Sequence, residues 1–219
     1  MIEELPPVEI PGHLSGGLGG VDHPMRVVTR RAAGLAEGGW TDETRRQVEA
    51  VFDMLAGDWH TRTSPERAAV VADSLARGVG GRPGGLCVEV GSGIGTYSGQ
   101  LAERFDVVLA VDLSLAMLEL APEGPGNRVQ GDGAALPVAD GTAAGVVLVN
   151  AFLFPAEVDR VLAPGGLVVW VNSSGKDTPI HLTPEEVARV LPGEWGGVAA
   201  RAGAGLWCVL RRHPSLPSS

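Results

Sequence analysis

A short apolar run, Val88-Glu89-Val90, breaks straight into Gly91-Ser92-Gly93-Ile94-Gly95, and a second run, Val107 to Val111, ends in Asp112. Few patterns narrow the choice of folds so far. A buried strand that turns through glycines into a helix lets bare backbone approach a ligand, because no Cβ stands in the way. An acid at the tip of the neighbouring strand accepts hydrogen bonds from the two hydroxyls of a ribose. The pair predicts an α/β sheet holding an adenosine-containing cofactor at its strand ends.

The rest of the chain supports a mostly parallel sheet. Strands are expected at Leu86–Val90, Val107–Val111, Arg128–Gln130, Gly145–Val149 and Leu167–Val171, each short and apolar with little alternation, as in strands covered on both faces. Helices are expected at Thr96–Arg104, Ser114–Ala121 and Pro155–Leu162. Another starts at Thr183-Pro184-Glu185-Glu186, with a capping hydroxyl, proline in the first turn and acids behind it. Trp195–Arg201 and Leu206–Arg211 flank Ala202-Gly203-Ala204-Gly205 and read as a closing antiparallel hairpin. Upstream, Thr41 and Ser64 each open a helical pattern. The expected division is a flexible arm over 1–39, with proline and the glycines Gly16 to Gly20 in its first half, a helical lid over 40–80, and the cofactor-binding domain over 81–219.

Composition removes several classes. The net charge of −9 disfavours a broad phosphate-binding surface, and no apolar run reaches membrane-spanning length. The N-terminus lacks a signal-peptide pattern, and Cys87 and Cys208 lie in apolar runs with no metal-ligand spacing, which leads to the expectation of a cytoplasmic protein with reduced thiols and no metal. No nucleic-acid or membrane partner is expected; the oligomeric state is left open.

The glycine spacing separates the cofactors. A dinucleotide fingerprint requires G-x-G-x-x-G, but Thr96 or Ser98 stands where the third glycine belongs; the spacing here is G-x-G-x-G. Glu89 stands two residues before the first glycine. A carboxylate there gives a pyrophosphate little and gives an ammonium and a sulfonium much. S-adenosylmethionine carries both.

Four segments in order, Val88 to Ser98, Val111 to Leu118, Gln130 to Pro137 and Arg160 to Val169, resemble the class I S-adenosylmethionine-dependent methyltransferases, and most closely the bacterial type 11 group. The resemblance implies a three-layer Rossmann-like fold, with a mostly parallel seven-stranded sheet, an antiparallel closing strand and an N-terminal helical lid. It implies that Gly91, Gly93 and Gly95 admit the methionine part of the cofactor and that Glu89 holds its amino group, directly or through water. Asp112 would bind the ribose, Leu113 would pack on adenine, and Asp132 would accept from the adenine amino group beside Gly133. Asn150 and Ala151 would border the methyl group, and Ser92 and Met117 complete the cofactor set. The stretch from Asn150 to Pro164 is shorter than is usual in this group.

The acceptor side is less defined. Trp40, Trp59, Tyr97, Phe152 and Phe154 are candidates for a substrate pocket, and His181 and His60 for a proton acceptor. The expected activity is in-line methyl transfer to an oxygen, nitrogen or carbon of a small molecule. A cofactor-binding protein with other chemistry or a sensing role, and a nicotinamide-dependent oxidoreductase, are the competing expectations.

Overall fold

The structure, a computed structural model, describes residues 1–12, 20 and 22–213. Eight strands form one sheet: β1 (Ile2–Glu4), β2 (Leu86–Val90), β3 (Val107–Asp112), β4 (Asn127–Gln130), β5 (Ala143–Val149), β6 (Leu162–Asn172), β7 (Trp195–Ala202) and β8 (Gly205–Arg212). Their order is β1-β7-β8-β6-β5-β2-β3-β4. β8 pairs antiparallel with both β6 and β7, and every other pairing is parallel.

The chain lays β3 and β4 on one side of β2 and then crosses to place β5 on the other side. Loops leaving β2 and β5 therefore diverge, opening a crevice at the strand C-termini, where ligands bind in open α/β sheets.

Alternation within the strands sends side chains to two helical layers. In β5, Val146 and Leu148 join one core and Val147 and Val149 the other; in β8, Cys208 and Leu210 oppose Trp207 and Val209 in the same way. The first core also takes residues from α1 (Met25–Ala32), α2 (Asp42–Leu55), α6 (Pro155–Val161) and α7 (Pro184–Val190). The second takes α3 (Pro65–Asp73), its π-helical continuation Ser74–Val79, and α4 (Ser98–Ala102). α5 (Leu115–Glu119) starts at Ser114, whose hydroxyl accepts the Met117 N–H.

Three expectations need correction. The sheet has eight strands, because Ile2–Glu4 pairs alongside β7. The segment expected to be a flexible arm thus contributes a strand, and Leu5 and Ile10 pack on the second core. It also contains α1, with Thr29 fully buried. The glycine-rich residues 16–19 lie outside the described residues. Finally, residues 65–79 are not lid. Gly78 and Gly205 have no side chain because Val209 and Val70 press against them; a Cβ there would meet those valines at 2.4 and 2.5 Å. The Trp207 indole also donates to Asp73 Oδ2 at 2.7 Å. The helix that the sequence assigns to the lid is part of the second layer.

Candidate functional site

The strand ends converge on a cavity of about 460 Å³. β2 supplies Gly91, Ser92 and Gly93; β3 supplies Asp112; Asp132 and Gly133 follow β4; Asn150 and Ala151 follow β5; and Ser173 and Ser174 follow β6. α2 and the 3₁₀ segment Ala56–Arg62 close it with Val48, Phe52 and Trp59.

All three glycines of the turn have left-handed backbones, with φ of 68° at Gly91, 56° at Gly93 and 72° at Gly95. Their reasons differ. A Cβ on Gly91 would lie 2.7 Å from Ala151 Cβ, so glycine lets the first and fourth loops touch. A Cβ on Gly93 would meet only Trp59 Nε1, at 3.4 Å, so this position faces the cavity beneath an indole. Ser92 Oγ is buried on the wall with no hydrogen-bond partner.

Asp112 ties the turn to the next helix. Its Oδ2 accepts the Gly93 N–H at 2.7 Å and its Oδ1 accepts the Ser114 N–H at 2.8 Å. Each carboxylate oxygen keeps a lone pair for a further donor. Burial raises its pKa, the two backbone donors oppose that, and Asp53 adds to the rise. The Ser114 hydroxyl donates to Asp53 on α2, so α2 is fastened to the same strand tip.

Asp132 is also engaged. Oδ1 accepts the Ala134 N–H at 2.8 Å, and Oδ2 accepts the Trp40 indole N–H at 3.0 Å. The Trp40 ring meets Phe154 edge-on at 5.0 Å and Phe152 tilted at 5.5 Å. Phe52 and Trp59 form a second aromatic pair, 5.7 Å apart. Asn150 is the one non-glycine among the described residues with positive φ, 51°. Its side chain donates to Ser173 Oγ at 2.8 Å and accepts the Ser173 N–H at 2.9 Å, which holds the β5 turn against the end of β6.

Some expected residues lie elsewhere. Glu89 is buried behind the glycine turn and off the wall, accepting the Ser98 hydroxyl at 2.5 Å. Burial pushes its pKa up to about 7, against the Ser98 bond, and Asp112 adds to the rise. Gly95 also lies off the wall. His60 is exposed on the 3₁₀ segment and His181 is half-buried just before α7; neither lines the cavity. His181 has its pKa lowered by burial first and by Arg26 second. The sequence suggested them by proximity to motifs, which does not fix direction. Met117, Leu113, Tyr97 and the four other aromatics do line the cavity.

The wall includes residues that the sequence reading passed over: His23, Arg62, Arg67, Ser173, Ser174 and Thr178. Polar residues directly after an apolar strand were a signal for Ser173 and Ser174. Nothing local announced His23, Arg62 or Arg67. Among the described residues, no group of three His, Cys, Asp or Glu side chains stands where it could hold a metal, and no helix is long and apolar enough to cross a membrane.

A mostly parallel sheet with one inserted antiparallel strand, helices on both faces and a cavity at the switch point defines the Rossmann-like methyltransferase fold. Comparison with known proteins gives the family. Residues 88–170 match the family described as "Methyltransferase domain". That segment, less than half of the chain, is similar to a methyltransferase domain, and the fold around it is that of S-adenosylmethionine-dependent methyltransferases.

A search of the curated proteins found no match. Among solved structures, DhpI in its SAH complex is 20% identical with a TM-score of 0.63, over 80% of this chain and 100% of that one. Haemonchus contortus phosphoethanolamine N-methyltransferase 1, solved with phosphoethanolamine and S-adenosylhomocysteine, is 14% identical with a TM-score of 0.57, over 82% of this chain and 51% of that one. A chain from a Haloferax volcanii complex containing the Trm112 methyltransferase activator is 23% identical with a TM-score of 0.48, over 55% of this chain and 59% of that one. This chain thus spans less than two thirds of the last two.

The residues present fit the cofactor. Gly93 leaves open backbone on the wall, Ser92 Oγ is buried without a partner, and Asp112 keeps two free lone pairs at the strand tip.

Proposed function

We propose that the chain transfers a methyl group from S-adenosylmethionine to a small-molecule nucleophile. The observation that carries the reading is the cavity of about 460 Å³ at the strand ends, lined by the glycine turn and Asp112 together with Trp40, Trp59, Phe152 and Phe154. A concave pocket of this size, lined mostly by apolar and aromatic side chains with a few polar groups, suits a small ligand better than a polymer surface. The net charge of −9 also argues against a nucleic-acid substrate.

On this reading Asp112 accepts from the ribose hydroxyls, using the lone pairs that Gly93 and Ser114 leave free. Leu113 and Met117 pack on adenine. Asp132 and the Gly133 backbone take the adenine edge, with the Trp40 indole sharing the same carboxylate. Gly91, Ser92 and Gly93 lie along the methionine part, and Glu89 supplies negative potential from behind the turn. Asn150 and Ala151 border the transferable methyl. The bound cofactor supplies an already activated methyl group, so the chain's own task is alignment and exclusion of water.

The aromatic side chains perform the exclusion. His23 lines the cavity and accepts the Met25 N–H at Nδ1, at 3.2 Å, which fixes the ring and leaves its other nitrogen to orient an acceptor molecule. Phosphoethanolamine bound to the Haemonchus enzyme illustrates the scale of ligand such a fold accommodates.

The test is direct. Calorimetric titration should show binding of S-adenosylmethionine and S-adenosylhomocysteine but not NAD. Incubation with the donor and a panel of small amines, phenols and carboxylates should yield S-adenosylhomocysteine together with one methylated compound. Binding without transfer to any small molecule, alongside transfer to a protein or RNA, would refute the small-molecule reading.

A further inference from the structure

The loop leaving β6 puts two buried hydroxyls on the cavity wall. Ser173 is 1% exposed and Thr178 is 2% exposed, and both line the cavity. Their hydrogen bonds say where their hydrogens are not. The Ser173 backbone N–H can only donate, so the Asn150 amide must turn its oxygen to that N–H and its nitrogen to Ser173 Oγ. Ser173 Oγ thus accepts from Asn150, and its own hydrogen is left over. Thr178 Oγ1 likewise accepts the Ser174 N–H at 3.2 Å. Among the described residues, neither hydroxyl has an acceptor for its hydrogen. A buried donor of this kind is costly until whatever fills the cavity offers it a lone pair.

That requirement selects among nucleophiles. The atom that takes a methyl group must aim one lone pair at the methyl carbon. An amine nitrogen has only that one, so it cannot also accept from Ser173 while it attacks. An alcohol or phenol oxygen has lone pairs to spare but must lose a proton. Among the described residues His23 is the one histidine on the wall, and its Nδ1 lone pair is taken by the Met25 N–H; the other nitrogen of a neutral ring carries hydrogen. His23 is therefore placed to donate and not to remove a proton. A carboxylate meets both conditions. It is ionised at neutral pH without help, and its two oxygens offer about four lone-pair sites, one for the methyl carbon and others for the wall hydroxyls. Asp177 on the same loop is exposed, so solvent screens its repulsion of such an anion.

We infer that the methyl acceptor is a small carboxylic acid, held as its carboxylate by the Ser173 and Thr178 hydroxyls, and that the product is a methyl ester. One carboxylate oxygen gives an electron pair to the methyl carbon, and the pair of the broken carbon–sulfur bond stays on the donor's sulfur. The acid's negative charge and the donor's positive charge cancel, and no proton moves. The inference rests on the methyl transfer proposed above, with Asn150, the partner of Ser173, beside the transferable methyl.

The experiment supplies the wild type with S-adenosylmethionine labelled in its methyl group and with matched sets of small carboxylic acids, amines and phenols. Label should pass to an acid and be released as methanol in mild alkali, as a methyl ester requires. Label that alkali does not release, on nitrogen, carbon or a phenol oxygen, would overturn the inference. Ser173→Ala and Thr178→Val should each lower kcat/KM for ester formation about tenfold while leaving S-adenosylhomocysteine affinity in calorimetry unchanged, and Thr178→Ser, which keeps the hydroxyl, should retain the wild-type rate. Full ester formation by both hydroxyl-free variants, or a matching loss of S-adenosylhomocysteine affinity, would overturn the assignment of these two side chains. A wild type that binds S-adenosylhomocysteine but labels none of the three sets would remove small-molecule transfer itself, a failure distinct from transfer to the wrong atom.

Discussion

Glu89 is 2% exposed, so its charged form is poorly solvated. With its pKa at about 7 against an ordinary 4.5, the folded chain keeps a proton between those values that the unfolded chain has released. Ligand-free stability therefore falls as pH rises from 4.5 to 7 and levels off above, by about 3 kcal/mol in all. Glu89→Gln should flatten that part of the profile and be more stable than the wild type at pH 8, as read from unfolding midpoints across pH 5 to 8. Asp112 carries a different load, since its oxygens already hold Gly93 and Ser114. Asp112→Asn preserves the shape and removes one acceptor. It should weaken S-adenosylhomocysteine binding by about 1.5–3 kcal/mol in calorimetry, and also lower the unfolding midpoint, because its amide nitrogen leaves the Gly93 or Ser114 N–H without an acceptor. Both residues stood out in the sequence, because a strand end and its neighbouring turn are local features. What the sequence concealed at Glu89 was direction: the alternation of β2 turns its side chain under the turn, toward Ser98.

At the scale of elements, seven of the eight strands were legible, β1 being the exception, and the helices over the cavity were expected but not the contacts that hold them. Apolar runs and glycine breaks are short-range signals. The roof depends on contacts between residues far apart in the chain, such as Trp40 with Asp132 and Asp53 with Ser114. Helical spacing alone could not separate α2, which closes the cavity, from α3, which packs on β8. The distinction lies in Gly78 and Gly205, whose missing side chains admit the opposing valines. Trp40→Phe retains the aromatic contacts with Phe152 and Phe154 and deletes the indole donor to Asp132. The expected result is faster amide hydrogen exchange over residues 40–55, with protection in β2 and β5 unchanged. Equal protection in both proteins would show that this bond does not hold the roof.

Across the whole molecule, the N-terminal strand changes how the sheet ends. β1 covers β7 through Ile2, Glu3 and Glu4, and Leu5 and Val8 extend the contact by donating to Ala199 and Arg201. Alternating Pro, Glu and apolar residues gave no strand signal there; the pairing arises because β7 offers a complete edge. Deleting residues 1–8 should lower stability by about 1–3 kcal/mol in urea unfolding while preserving the circular dichroism spectrum. The bared β7 edge should also promote self-association at high concentration, visible in sedimentation.

Trp59 stands directly over Gly93, and Trp40 holds Asp132, whereas Trp170, Trp195 and Trp207 are buried in the two cores. A molecule entering the cavity disturbs the first two indoles and leaves the other three alone. The protein thus carries its own optical gauge: intrinsic emission changes on filling the cavity arise from the roof, and they report occupancy without any added dye.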